Sequence, residues 1–420
     1  MEVHSLRVRL SMALALAALL VLVAIAPVLA QVTTVTMWFG RENFVPLDKF
    51  ESFHAENPDI HVDFDVIPLE EVLAGFFRSA QARRAPDIFQ TFSYFATQFS
   101  NVGWLLDISS ILDEWKMEDE ADFNDLSPAT WDLASSEGVP YGMALHGSGQ
   151  WHAYRVDVFN DAGIDAPASW EDVLNAARKL NSDDMVGWLY PGTPRVSPDF
   201  LVNQFVAAGG KFKDGLEQLD SEAGIYMTEW MQTASREQLM HPDVLTWNVQ
   251  EVRAAWLGGR GAQGMLSANV FPLFQQSMEY GTEWKVKTHP HRPGGEDEFA
   301  VANRGFPYFV SFSAAGKEEA IKKVLQYLAR PDITKDVHLR YQPTSRTSVF
   351  NDPEVQSDQP WWSDIIEALV NDTLAQPGHP QAAALNEILK DWEFEILTDT
   401  EADASEIVKK YQARIDELGM

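Results

Sequence analysis

Apolar and polar residues alternate over 32–39, with Val35, Met37 and Phe39 on one face and Gly40 ending the run, which predicts a first β-strand. Phe50 and Phe53 share the apolar side of a helical pattern over 46–56, and Asn57-Pro58 stops it. Ile60, Val62, Phe64 and Val66 alternate with His61, Asp63 and Asp65 as a second strand. Over 69–84, Val72, Leu73, Phe76, Phe77 and Ala80 recur at helical spacing, and a third strand opens at 88–92. Strand, helix, strand, helix, strand is the rhythm of an α/β chain with a mostly parallel sheet.

The stretch 139–174 predicts a strand into a glycine-rich bend, Gly147-Ser148-Gly149, then a second extended run over 150–154 and a polar turn at 160–163. Ser169 and Asp172 have capping-box spacing, so a helix begins there and runs amphipathically to 180. Further on, the pattern predicts a short strand at 186–190, a helix at 252–257 and a strand over 263–270. A return strand at 305–313 precedes a helix at 318–329, with Ala320, Ile321, Val324, Leu325 and Leu328 inward and Pro331 as its stop. The tail, 353–420, predicts helices.

The chain has 420 residues, 45% of them hydrophobic, enough for two domains with ample cores. It has no cysteine, so disulfides, thiolate metal sites and cysteine nucleophiles are excluded. A net charge of −30 repels nucleic acid and anionic membranes, so neither is expected as a partner. Arg7 and Arg9, an apolar run over 11–26 and Val28-Leu29-Ala30 before Gln31 form an expected cleavable signal peptide, residues 1–30.

Gly259, Gly261 and Gly264 fit G-x-G-x-x-G, but a helix precedes and a strand follows, the reverse of a dinucleotide site, so they are expected to cap and turn the chain. His289-Pro290-His291 has no evident third ligand and is expected in a solvated loop. No P-loop and no complete nucleophile elbow occur, so neither a cofactor, a metal nor catalysis is expected.

Tyr141, Gly142, Tyr154, Phe159, Ala162, Gly163, Pro167, Ser169, Trp170 and Glu171 occur in an unusual order, which resembles the lobe crossover of bacterial extracellular solute-binding proteins of the sugar-binding type. FHAENPDIHVDF (53–64), ARRAPDIFQTF (82–92) and QPTSRTSV (342–349) extend the resemblance over about 32–350. It implies a two-lobed periplasmic binding protein fold, each lobe a mostly parallel sheet flanked by helices, with the ligand cleft between them. The N-terminal lobe would comprise 31–143 plus 299–340, and the C-terminal lobe 144–298 plus 341–420. The implied function is the periplasmic, monomeric substrate-binding component of an ABC importer, delivering a sugar or oligosaccharide to a membrane permease. Ala144, Arg155, His146 and Ser148 depart from the family pattern and leave open a sugar phosphate, a polyol or a polyamine as ligand. A secreted carbohydrate-active enzyme is the further alternative.

The 14 tryptophans bear on the ligand, because an indole stacks on the apolar face of a pyranose while planar polar groups hold its hydroxyls; for any one of them core packing is an equal expectation. Open α/β sheets bind ligands beyond the carboxyl ends of their strands. That rule selects Trp38, Phe39 and Arg41 after the first strand, and Ser93 and Tyr94 after the third. Trp151 stands at the crossover, Trp188 and Asn269 at later strand ends. Arg304, Tyr341 and Arg346 stand at later crossings, where an arginine can hold vicinal hydroxyls or form a structural salt bridge.

Overall fold

β1 spans Thr33–Phe39 and buries Val35, Met37 and Phe39, as the alternation predicts. The computed structural model describes residues 32–40, 47–146, 149–193, 198–295, 301–303, 305–340, 343–365 and 373–419. α1 (Phe50–Glu56), β2 (Ile60–Val66), α2 (Leu69–Gln81) and β3 (Ile88–Gln90) complete the first βαβαβ run. α3 (Ala96–Asn101) and α4 (Ser109–Glu118) lead to β4 (Gly142–Met143) and β5 (Gln150–Arg155). Then come α5 (Trp170–Leu180), α6 (Asp199–Ala207), α7 (Glu222–Arg236), α8 (Val249–Leu257), β6 (Gln263–Ser267) and β7 (Trp284–Lys287). β8 (Val301–Asn303), β9 (Tyr308–Val310), α9 (Glu318–Ala329) and α10 (Pro331–Arg340) follow. β10 (Thr373–Ala375), α11 (Ala382–Thr398) and α12 (Ala404–Asp416) form the tail.

The first lobe is a five-stranded sheet in the order β2-β1-β3-β9-β4. β1 runs parallel to β2 and β3, while β9 is antiparallel to β3 and β4. Gly142 is required where β4 meets β9, since a Cβ there would lie 2.1 Å from the Tyr308 carbonyl oxygen. One sheet face packs Val35 and Met37 against Phe50, Phe53 and the inward side of α9. The other packs Phe89 and Phe309 against Phe76 and Phe99.

The second lobe departs from expectation. Its three-stranded sheet, β6-β5-β7, is wholly antiparallel. The run 186–190 is no strand: only Val186 and Leu189 bridge in parallel to Gly261 and Gly264, and the Trp188 amide donates to the Leu239 carbonyl instead. α11 and α12 pack here as the tail pattern predicts, with Leu389, Trp392, Val408 and Tyr411 in one core with Trp170 and Phe205.

Local rules explain the other differences. Pro331 both stops α9, which ends at Ala329 as expected, and starts α10, because proline at a first helical position loses no hydrogen bond. β6 stops at Ser267 and continues as a tight 3-10 turn over Ala268–Val270. The His289 loop is docked, not solvated. His289 is buried, its ring 5.9 Å from that of Trp151, and the His291 carbonyl accepts from the Trp170 amide.

Candidate functional site

Hydrogen bonds tie together the segments expected to cross between the lobes. The Ser345 amide donates to the Leu145 carbonyl, and His146 bridges Thr344 across the first and third crossings. At the second, the Ser93 amide donates to the Gly305 carbonyl. His146 and His338 flank this seam. Burial, with His338 nearby, pushes the His146 imidazole down to about 3, and burial takes His338 to about 4. Both are therefore neutral, and His338 Nδ1 accepts from the Thr344 amide at 3.0 Å.

On the first lobe, Trp38 is half-buried at the carboxyl end of β1, with Nε1 donating to Asp65 Oδ2 at 2.9 Å. Tyr94 is buried, its ring stacked 5.3 Å from that of Phe92. Ser93 is buried with Oγ unpaired. It lines a cavity of about 400 Å³ bounded by Thr97, Leu133 and Ser136 on one side and by Gln376 and Gly378 on the other.

On the second lobe, Trp151 is buried in β5 and Asn269 is half-buried just past β6, with Asn269 Oδ1 unpaired. The register pairs Gln150 with Ser267, and the Ala268 amide donates to the Gly149 carbonyl, so these residues share one sheet end. α6 closes against that end: Asn203 Nδ2 donates to Gln150 Oε1 and to the Asp199 carbonyl.

Four of the expected contacts are overturned by burial. Phe39 is in the first-lobe core, its ring 5.9 Å from that of Phe64 and wholly inaccessible to a ligand. Trp188 and Trp151 are likewise fully buried, Trp188 edge-on to Trp170 and Trp230 and Trp151 in a core with Trp247 and Leu266. Arg346 is 1% exposed and bound to Asp122, Asp125 and the Ala329 carbonyl of the first lobe, so its guanidinium holds the fold and not a solute. Arg41, Arg304 and Tyr341 lie outside the described residues.

Gln150, Asn203 and Gln204 were missed. Their signal was present: Asn203-Gln204 interrupts an otherwise apolar run in α6, all nine residues of which are buried. Buried amides need partners, and Asn203 Oδ1 and both polar atoms of Gln204 have none among the described residues.

A profile of the bacterial extracellular solute-binding proteins matches residues 42–335, well over half of the chain. The chain belongs to that family. This solute-binding protein overlaps along nearly its whole length with solved relatives of low identity, which establishes the two-lobed fold. One is an ABC transporter solute-binding protein from Thermotoga lettingae bound with α-D-tagatose: TM-score 0.79, 20% identity, 92% of this chain and 99% of that one. Another is maltose-bound MalE3 of T. maritima, with TM-score 0.78, 18% identity and coverage of 92% and 100%. Among sequence relatives, a probable amino-acid ABC transporter periplasmic-binding protein of Sinorhizobium fredii is 22% identical over 256 residues. That match spans 60% of this chain and 58% of the relative's length. A putative binding protein of Brucella abortus is 24% identical over 291 residues, 67% of each chain. No helix among the described residues is long and apolar enough to cross a membrane.

Proposed function

We propose that this chain is the substrate-binding component of an ABC importer and carries a sugar or polyol between its lobes to a membrane permease. The observation that carries the reading is the polar chemistry at the inner end of the second-lobe sheet. Gln150 and Asn203 meet there as neutral amides, with Asn269 two residues past the Ser267 that pairs with Gln150. Neutral amides suit uncharged hydroxyls, and full overlap with folds solved with tagatose and maltose supports the same ligand class. The protein works as a monomer without catalysis, and residues 1–30 export it to the periplasm. The lobes are assigned as 31–143 plus 299–348 and 144–298 plus 349–420, the last boundary moved because Arg346 and Ser348 bind Asp125 of the first lobe.

An amino acid is the second reading, favoured by the name of the Sinorhizobium relative. A sugar phosphate loses one of its candidate arginines, because Arg346 is committed to Asp122 and Asp125.

Thermal unfolding of residues 31–420 with sugars, polyols, sugar phosphates, polyamines and amino acids tests the proposal. Ligand at about 100 times its Kd adds about 2.7 kcal/mol of stability. A shift with sugars or polyols is expected. A shift only with amino acids overturns the sugar reading and keeps the transport role. Release of product from an oligosaccharide would contradict a pure binding protein.

A further inference from the structure

We infer that Gln150 and Asn269 form a donor–acceptor pair that reads one ligand hydroxyl, and that Asn203 is the positioning residue that sets which way round Gln150 stands. The inference rests on the sugar or polyol reading above and deepens it.

The orientation of Gln150 follows from a chain of hydrogen bonds. The Asp199 carbonyl can only accept, so the end of the Asn203 side chain bonded to it at 3.0 Å is the amide nitrogen. The second N–H of that nitrogen goes to Gln150, so the Gln150 atom that meets it is Oε1. With its oxygen committed, Gln150 offers its N–H groups elsewhere. Its N–H groups are therefore what it has left to offer a partner at this end of β5.

Asn269 supplies the complement. Ser267 pairs with Gln150 across the sheet, and the Ala268 amide donates to the Gly149 carbonyl, which brings Asn269 beside the segment that leads into Gln150. Asn269 Oδ1 is a buried acceptor without a partner among the described residues. A buried acceptor left unpaired is unfavourable, and a ligand donor relieves it. A donor and an acceptor at neighbouring strand ends match a hydroxyl, which accepts and donates at once. A carboxylate only accepts, and an ammonium only donates.

The test is calorimetric titration of the full mature chain with maltose, D-tagatose and ribitol, and then with the mono-amino-deoxy analogues of whichever binds. Wild type is expected to prefer the hydroxyl compound to every analogue. Gln150→Glu keeps the shape and still accepts from Asn203, but it can no longer donate to the ligand. It should lose about tenfold in affinity for the parent compound and gain relative preference for one analogue, whose ammonium now meets a carboxylate. Asn203→Asp removes the donor that holds Gln150 Oε1. The Gln150 amide then turns over, and preference should move in the same direction through Gln150. A merely structural role would weaken parent and analogue alike. If Asn203→Asp does not fold, Gln150→Glu decides the pair by itself. Unchanged preference in Gln150→Glu overturns this inference and leaves the sugar reading standing. Failure of wild type to bind any of the three compounds overturns both.

Discussion

Arg346 Nη1 lies 2.9 Å from Asp125 Oδ2, in a side chain only 1% exposed. Asp122 Oδ1 is equally close, and Arg346 Nε donates to the Ala329 carbonyl at 2.7 Å. The arginine thus fastens the third crossing to the end of α9. Removing it leaves two carboxylates without their partner. Arg346→Met should therefore cost about 3–5 kcal/mol by chemical denaturation, while ligand affinity in the folded fraction stays at the wild-type value. A selective loss of affinity would restore the arginine to the binding site.

The same pair predicts a pH dependence. Burial alone would raise the Asp125 carboxyl, but hydrogen bonds from Ser348 and Arg346 outweigh it and hold the group below its ordinary 3.8. A depressed carboxyl stabilises the fold above its unfolded value, and that contribution fades as the pH falls below 3.8. Arg346→Met should flatten the stability profile in this acid range.

Buried histidines act at milder pH. Burial pushes His152 and His146 down to about 3 and His289 and His338 to about 4, from an ordinary 6.5. The folded protein keeps them neutral, so their contribution is complete above 6.5 and falls as the pH drops toward those values. Each costs about 1.4 kcal/mol per pH unit in that window. Glu217 works the other way, since burial raises it from 4.5 to about 7 and favours the fold at the acid end of its window. Four histidines outweigh one glutamate, so denaturation midpoints should fall from pH 6.5 to 5, and His152→Gln should reduce the slope. A flat profile would contradict their burial.

Gly264 is needed for close packing. A Cβ at this position would lie 2.7 Å from the Leu189 carbonyl oxygen, a backbone atom with no room to yield. Gly264→Ala should destabilise the second lobe by about 1–3 kcal/mol in a thermal melt. A neutral alanine would mean that 186–190 is free to move off β6.

Ser169 caps α5 in both directions: the Asp172 amide donates to Ser169 Oγ, and the Ser169 amide donates to Asp172 Oδ2 at 3.0 Å. Ser169→Ala should cost about 1 kcal/mol by urea titration. Ser169→Thr should recover most of it, because threonine keeps the hydroxyl that accepts from the Asp172 amide and donates to Asp172 Oδ2.

Much of this was legible in the sequence. The βαβαβ run, the capping box at Ser169 and the bounds of α5 and α9 follow from local spacing, because each element buries one face and its ends need caps. Local order also shows that Gly259-Arg260-Gly261 turns the chain between α8 and β6, so it is no dinucleotide loop. The tryptophans were ambiguous, because packing in a core and stacking on a sugar ask for the same side chain. Trp188 and Trp151 proved fully buried, and only the partners brought from α7 and β7 decide that.

What the sequence determined by itself was the family, the order of elements and the ends of most helices, all fixed by residues a few positions apart. What the tertiary structure decided were the pairings between distant residues. The second sheet is antiparallel because β5 meets β6 more than 100 residues later with Gln150 opposite Ser267. Arg346 became structural because Asp122 and Asp125 reach it across the chain. Gln150 acquired its orientation from Asn203 on α6. A polar side chain shows the bonds it can make from its chemistry alone, but which of them remain for a ligand depends on what the fold has already paired with it.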